Sequence, residues 1–265
     1  MIEGFLEEAA LPAFEGQLVG LIAPHAGYIY SGLTAAHAFK ALLGRQFARV
    51  ILLSPSHQPY RQPLLTTSHD AYSTPLGLVP VDREALARLN ELLKESNGVE
   101  LAAVRRDQEH SLEIELPFLQ VTQPNGFWLV PLMMVDQSAS MARLLSAALL
   151  KLIQSFPPKE NALLLASSDL SHFYSERAAN RLDGNLADAL QEFDLNAFYQ
   201  RKQHGEMEAC GFAPMATVLQ TSRLLGAEQV TLADYRTSAT VTGDRSSVVG
   251  YLSAIISTGK ADLHA

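Results

Sequence analysis

The sequence predicts an α/β protein built on one central, largely parallel or mixed sheet covered by helices on both sides. Three observations predict it: short apolar runs of strand length recur, stretches with helical spacing lie between them, and no Pro/Gly/Ser-rich linker, repeat or low-complexity segment divides the 265 residues. A single domain over residues 1–265 is therefore expected.

In chain order, LVGLIA (18–23) is apolar on consecutive residues, which a strand can afford only when both of its faces are buried. LTAAHAFKALLG then has helical spacing and stops at Gly44, and RVILLS (49–54) reads as the next buried strand. DREALARLNELLKE is a helix that Asp82 can cap, and FWLVPLMM (127–134) is a third strand. SASMARLLSAALLKLIQSF starts near Ser138 and is stopped by Pro157 and Pro158, after which NALLLAS (161–167) returns to strand. SERAANRLDGNLADALQEF can be capped by Ser175, and APMATVLQTSRLLG has Pro214 near its first turn and Gly226 at its end. SSVVGYLSAIIS (246–257) closes the set as a buried strand.

Composition narrows the function. With 48% hydrophobic and 18% charged residues the chain can bury a full core. A formal net charge of −8, with no cluster of Lys and Arg on one face, argues against nucleic acid as a partner. The opening MIEGFLEEAALPAF has no basic n-region or long apolar h-region, and nowhere do about 18 apolar residues run together. A cytoplasmic protein with no membrane span is expected. Cys210 is the one cysteine, so an intrachain disulfide and a Cys-rich structural zinc site are both excluded.

The candidate chemistry lies where strands end. The first predicted strand runs through Pro24 into His25, the second through Ser54, Pro55 and Ser56 into His57, and NALLLASSDLSHFY through Ser167, Ser168 and Asp169 into His172. Ligands of α/β sheets bind outside the carboxyl ends of the strands. One histidine after one strand is commonly a turn or surface residue; three delivered to the same edge describe a site. Neutral imidazole is a common metal ligand, so a metal site is the leading reading.

Cys210, in GEMEACGFAPM, precedes a predicted helix whose N-terminus favours a thiolate, which would complete a set of two histidines and one cysteine. A lone cysteine is also commonly a small buried apolar side chain, and spacing leaves both readings open. His110, in DQEHSLEIELPF beside Glu109 and Glu113, reads either as a substrate-facing or supporting residue or as part of a solvated helix start. Asp169 can orient His172 through its second ring nitrogen or cap the turn after the strand. His37, His69, His204 and His264 are assigned no chemistry.

With these residues in view, the chain resembles the Memo family, also called Memo-like or protein B of the AmmeMemoRadiSam system. The matching blocks are PHAGYIYSG, LSPSHQPY, YSTPLG, EHSLEIELPFLQ, SSDLSHF, ACGFAPM and SVVGYLS, in the family's order from residue 24 to residue 253. The family is similar in fold to the class III non-haem iron extradiol dioxygenases, so the resemblance implies a single-domain three-layer α/β/α sandwich with one pocket. It implies metal-site positions at His25, His57 and Cys210, with His172 where the dioxygenases keep their catalytic base. Family members usually open with a segment ahead of the first helix, so this chain, beginning at MIEGFLEEA, is expected to lack part of that packing.

The dioxygenases complete their site with a carboxylate where this family has cysteine. A thiolate shifts preference toward copper(I) or zinc and alters the potential of bound iron, which weighs against ring cleavage.

Four functions are in competition. The first is a redox-type metal protein holding non-haem iron or copper, with His172, Asp169 and His110 as catalytic candidates and a small molecule entering past Tyr28, Tyr30 and Tyr60. The others are an extradiol-type dioxygenase acting on a catechol-like substrate, a thiol hydrolase using Cys210, and a non-catalytic adaptor that binds a peptide. The family's system name further implies a functional link to a radical SAM protein and an AMMECR1-type protein.

Overall fold

In the computed structural model, which describes residues 1–106 and 109–259, the elements alternate much as the apolar runs require. The chain opens with helix α1 (Ile2–Glu8), strand β1 (Leu18–Ala23), helix α2 (Tyr28–Phe39) with a 3-10 turn at Lys40–Leu42, and strand β2 (Arg49–Pro55). Short strands β3 (Leu64–Thr67), β4 (Ala71–Thr74) and β5 (Gly77–Pro80) come next, then α3 (Arg83–Asn97) and β6 (Leu101–Val104). A 3-10 turn at Glu113–Glu115 leads into α4 (Leu116–Thr122), β7 (Trp128–Met134), α5 (Ala139–Gln154) and β8 (Ala162–Ser167). The last part holds β9 (His172–Tyr174), α6 (Glu176–Glu192), α7 (Leu195–Gln203), α8 (Phe212–Leu224), β10 (Gln229–Thr237), α9 (Ala239–Thr242) and β11 (Val248–Ser257).

One mixed sheet carries the fold, in the order β10-β11-β1-β8-β2-β7-β3-β6, with β9 paired to β11 and β4-β5 a separate hairpin. Strands β1, β8, β2 and β7 are parallel neighbours. Antiparallel strands flank them, β11 on β1 and β3 on β7.

The consecutive apolar residues of the central strands divide between two cores, as the period of two demands. Ile51 and Leu53 of β2, Leu164 and Ala166 of β8, and Val130 and Leu132 of β7 pack on one face with α3, α5 and α8. Val50, Leu52, Leu163, Leu165 and Leu129 pack on the other with α1, α2 and α4. The result is a central mixed sheet between helical layers.

Local signals act as expected at two helix starts. Asp82 accepts the Ala85 N–H at 2.8 Å, and Ser138 accepts the Met141 N–H at 3.2 Å. Ser175 occupies the cap position of α6 without a side-chain cap bond; the Glu176 N–H donates to the carbonyl of Arg245 at 3.0 Å instead. Helix α2 begins at Tyr28, earlier than the spacing predicts, directly after Gly27. No helix among the described residues is long and apolar enough to cross a membrane. His264 lies outside the described residues.

Candidate metal centre

Because β1, β8 and β2 are adjacent and parallel, their carboxyl ends open onto one place, and the residues just beyond them gather there. His25 lies past the end of β1, His57 past the end of β2, and Asp169 past the end of β8. Cys210 arrives from the loop ahead of α8. One potential ligand atom from each of His25, His57 and Cys210 lies within 4.8 Å of the others, a group that can hold one metal ion.

Tight backbone packing makes the approach of Cys210 possible. A Cβ on Gly211 would lie 2.5 Å from the Ser167 carbonyl oxygen and 2.6 Å from Ser168 Cβ, so the residue after Cys210 must be glycine for this loop to press on the end of β8. The Gly211 N–H donates to Ser168 Oγ at 2.8 Å. Cys210 Sγ lies 3.3 Å from His25 Nε2 and accepts the Asp169 backbone N–H at 3.2 Å.

Each imidazole is held from behind. His25 Nδ1 meets Ser167 Oγ at 2.8 Å, and His57 Nδ1 meets Glu109 Oε1 at 3.0 Å. Glu109 also accepts the His57 backbone N–H at 2.6 Å and the Ser111 N–H at 3.0 Å. With both Nδ1 atoms engaged outward, each Nε2 is left for an ion, which is how metal-binding histidines are commonly oriented. The donor set of two nitrogens and one sulfur, supported in this way, fits a metal.

Electrostatics follow from the same contacts. Burial pushes the Cys210 thiol up, but hydrogen bonds with His25 and His57 outweigh it and bring the thiol down to about 6. Burial pulls His25 down, yet Asp169 and Cys210 raise it to about 9. Hydrogen bonds with Cys210 and then Glu109 raise His57 to about 10. Burial pushes the Glu109 carboxyl up, and the bonds from His57 and Ser111 pull it down to about 2.

The other candidates take different places. Asp169 is buried, and its Oδ1 accepts the N–H groups of His25 at 2.9 Å and Ala26 at 3.2 Å; the hydrogen bonds of its carboxylate hold the His25 turn rather than His172. His110 is nearer the centre than spacing suggests: its ring stacks on His57 at 6.0 Å and meets His25 edge-on at 6.2 Å, while its side chain is 69% exposed. His172 lies farther round the rim, lining a cavity of about 550 Å³ together with Cys210, Tyr174, Lys202 and Glu208. Phe173 beside it has φ 64° and is exposed, a backbone conformation uncommon for a bulky residue. A second cavity of about 550 Å³ opens past His110 and is lined by Tyr28, Leu76, Ile114 and Pro117.

Two of the histidines assigned no chemistry have backbone carbonyl partners. His37 is buried with Nδ1 on the Ala10 carbonyl at 2.9 Å, and His69 Nε2 meets the Arg105 carbonyl at 2.7 Å. The supporting residues Glu109 and Ser167 carry no role in the sequence reading. One signal was available for Glu109, an acid placed next to His110 in a segment otherwise turning apolar; Ser167 is recognisable only from its neighbours in space.

The family model described as Memo-like protein matches residues 1–255. A MEMO1 family protein of Nitrosopumilus maritimus is 36% identical over 234 residues, covering 88% of this chain and 82% of the relative. One of Thermotoga neapolitana is 36% identical over 241 residues, covering 90% and 83%, and one of Methanobrevibacter smithii is 33% identical over 248 residues, covering 92% and 86%. The chain therefore belongs to the Memo-like family.

Proposed function

We propose that this protein holds iron or copper through His25, His57 and Cys210 and acts on a small molecule at that centre. The observation that carries this reading is the meeting of the three donors within 4.8 Å at one edge of the sheet. Two imidazoles and a thiolate suit copper(I), and the same set lowers or raises the potential of iron relative to a site closed by a carboxylate. Such an ion would supply a Lewis-acidic, redox-active centre.

The chain's own residues then divide the remaining work. Glu109 and Ser167 orient the imidazoles, and the Asp169 amide stabilises the negative sulfur. His110, exposed and stacked on His57, takes or gives a proton on the open side, and His172 does so from the cavity it shares with Cys210. A small substrate reaches the centre through that cavity or along the one past Tyr28. The working location is the cytoplasm, and the partners that suit the family's system name are a radical SAM protein and an AMMECR1-type protein; a peptide is the alternative ligand. Cleavage of a catechol-like substrate keeps the same residues but calls for a carboxylate where Cys210 stands, and oxygen uptake across a catechol panel separates the two.

Anaerobic titration with copper(I) and iron(II) tests the reading. One equivalent bound by the wild type, lost in Cys210→Ser and kept in His110→Ala, is expected. Equal binding by wild type and Cys210→Ser would overturn it.

A further inference from the structure

The hydroxyl of Ser167 has three neighbours and a single hydrogen. Its Oγ lies 2.6 Å from the Ser111 carbonyl, 2.8 Å from His25 Nδ1 and 3.0 Å from Glu115 Oε1. A serine hydroxyl donates once and accepts twice, and a backbone carbonyl only accepts. The hydrogen therefore goes to Ser111, the shortest of the three contacts. Both remaining neighbours must donate into Ser167: His25 as Nδ1–H, and Glu115 as a carboxylic acid, since a carboxylate has no hydrogen to give.

The surroundings of Glu115 agree. It stands at the end of the 3-10 turn that leads into α4 and is 1% exposed. Its Oε2 has no hydrogen-bond partner among the described residues, a costly position for an anion and a much cheaper one for a neutral carbonyl oxygen. Burial, the largest influence, pushes its carboxyl up to about 8 despite the opposing pull of His25 and Ser167. The sequence offers no signal for this, because glutamate at a helix start reads as a solvated residue.

We propose that Glu115 is a positioning residue, kept as a neutral acid that donates to Ser167 and so holds a proton on His25 Nδ1, leaving Nε2 as the nitrogen that gives up its proton to a metal. Ser111 and Glu115 hold the hydroxyl from two sides, and Ser167 then has no hydrogen to offer His25. The opposite tautomer, with Nδ1 bare and Nε2 protonated toward the sulfur, loses its partner. The consequence for metal affinity rests on the reading of His25, His57 and Cys210 given above; the protonation of Glu115 does not.

Two measurements test it. Infrared difference spectra of metal-free wild type against Glu115→Gln at neutral pH are expected to show the carbonyl stretch of a protonated carboxyl in the wild type only; absence of that band overturns the proposal. Copper(I) affinity, read by competition with a chromophoric chelator, is expected to stay within about 3-fold of wild type in Glu115→Gln, whose amide still donates, and to fall by about 10-fold or more in Glu115→Leu. Equal affinities in Gln and Leu variants would overturn the positioning role. Should Glu115→Leu fail to fold, the infrared band and the Gln rescue decide. Should the wild type take up no copper(I), the metal reading fails while the infrared band still decides the state of Glu115.

Discussion

Asp169 and Cys210 hold each other by the backbone. The Asp169 N–H donates to Cys210 Sγ at 3.2 Å, and the Cys210 N–H donates to the Asp169 carbonyl at 3.2 Å. This reciprocal pair ties the end of β8 to the start of α8 and aims a fixed dipole at the sulfur. Because His25 lies 3.3 Å away on the other side, the sulfur is stabilised as an anion before any ion arrives.

The first consequence concerns thiol reactivity. In metal-free protein, Cys210 is expected to be alkylated by iodoacetamide with a pH midpoint near about 6, well below an ordinary thiol. Rates measured across pH check this. A midpoint at the ordinary thiol value would remove the basis for a preformed thiolate.

Metal uptake should release protons. With His25 raised to about 9 and His57 to about 10, both imidazoles are protonated at neutral pH, whereas Cys210, at about 6, has already lost its proton. A cation must displace the two imidazole protons, so affinity rises as pH increases toward those values and falls in acid. Calorimetry in buffers of different ionisation enthalpy is expected to report about two protons released.

Glu109 links the site to acid stability. Its folded value of about 2 lies below the ordinary 4.5, so its contribution is fully present above 4.5 and is lost as pH falls toward 2. The stability gap between wild type and Glu109→Gln should shrink through that acid window, as read from urea midpoints. The same variant leaves His57 without its orienting acceptor, and its metal affinity is expected to fall by about 10- to 100-fold.

The turn that carries His172 depends on a close approach at Gly250. A Cβ there would lie 1.9 Å from Asp183 Oδ2, while that buried carboxyl accepts the Ser171 N–H at 3.1 Å and the Tyr235 hydroxyl at 2.8 Å. Gly250→Ala is expected to cost about 1–3 kcal/mol or more by overpacking, with a lower melting temperature and altered exposure of His172. A melting temperature equal to wild type would contradict this dependence of the turn on Gly250.

The parts of the fold that were readable share one property. Strands β1, β2, β7, β8 and β11 are buried on both faces and therefore appear as continuous apolar runs. Strand β10, reading QVTLADYRT, is mostly half-buried at the sheet edge and mixes polar with apolar residues, so its pattern resembles a loop. The positions of His25 and His57 were legible because strand ends are visible in sequence and parallel neighbours share an edge. The partner of Asp169 was not, since its bond crosses from β8 to β1, and the roles of Glu109 and Glu115 depend on where the segment ahead of α4 packs. Spacing left Cys210 open; the family resemblance supplied it.

The most direct test is the metal content, by element-resolved mass spectrometry, of protein purified without oxygen or chelator, beside the His57→Ala variant and with folding of both checked by circular dichroism. Near-stoichiometric iron or copper in the wild type, and its loss in a folded variant, are expected. Metal absent from both, or retained unchanged in His57→Ala, would contradict a metal centre at His25, His57 and Cys210.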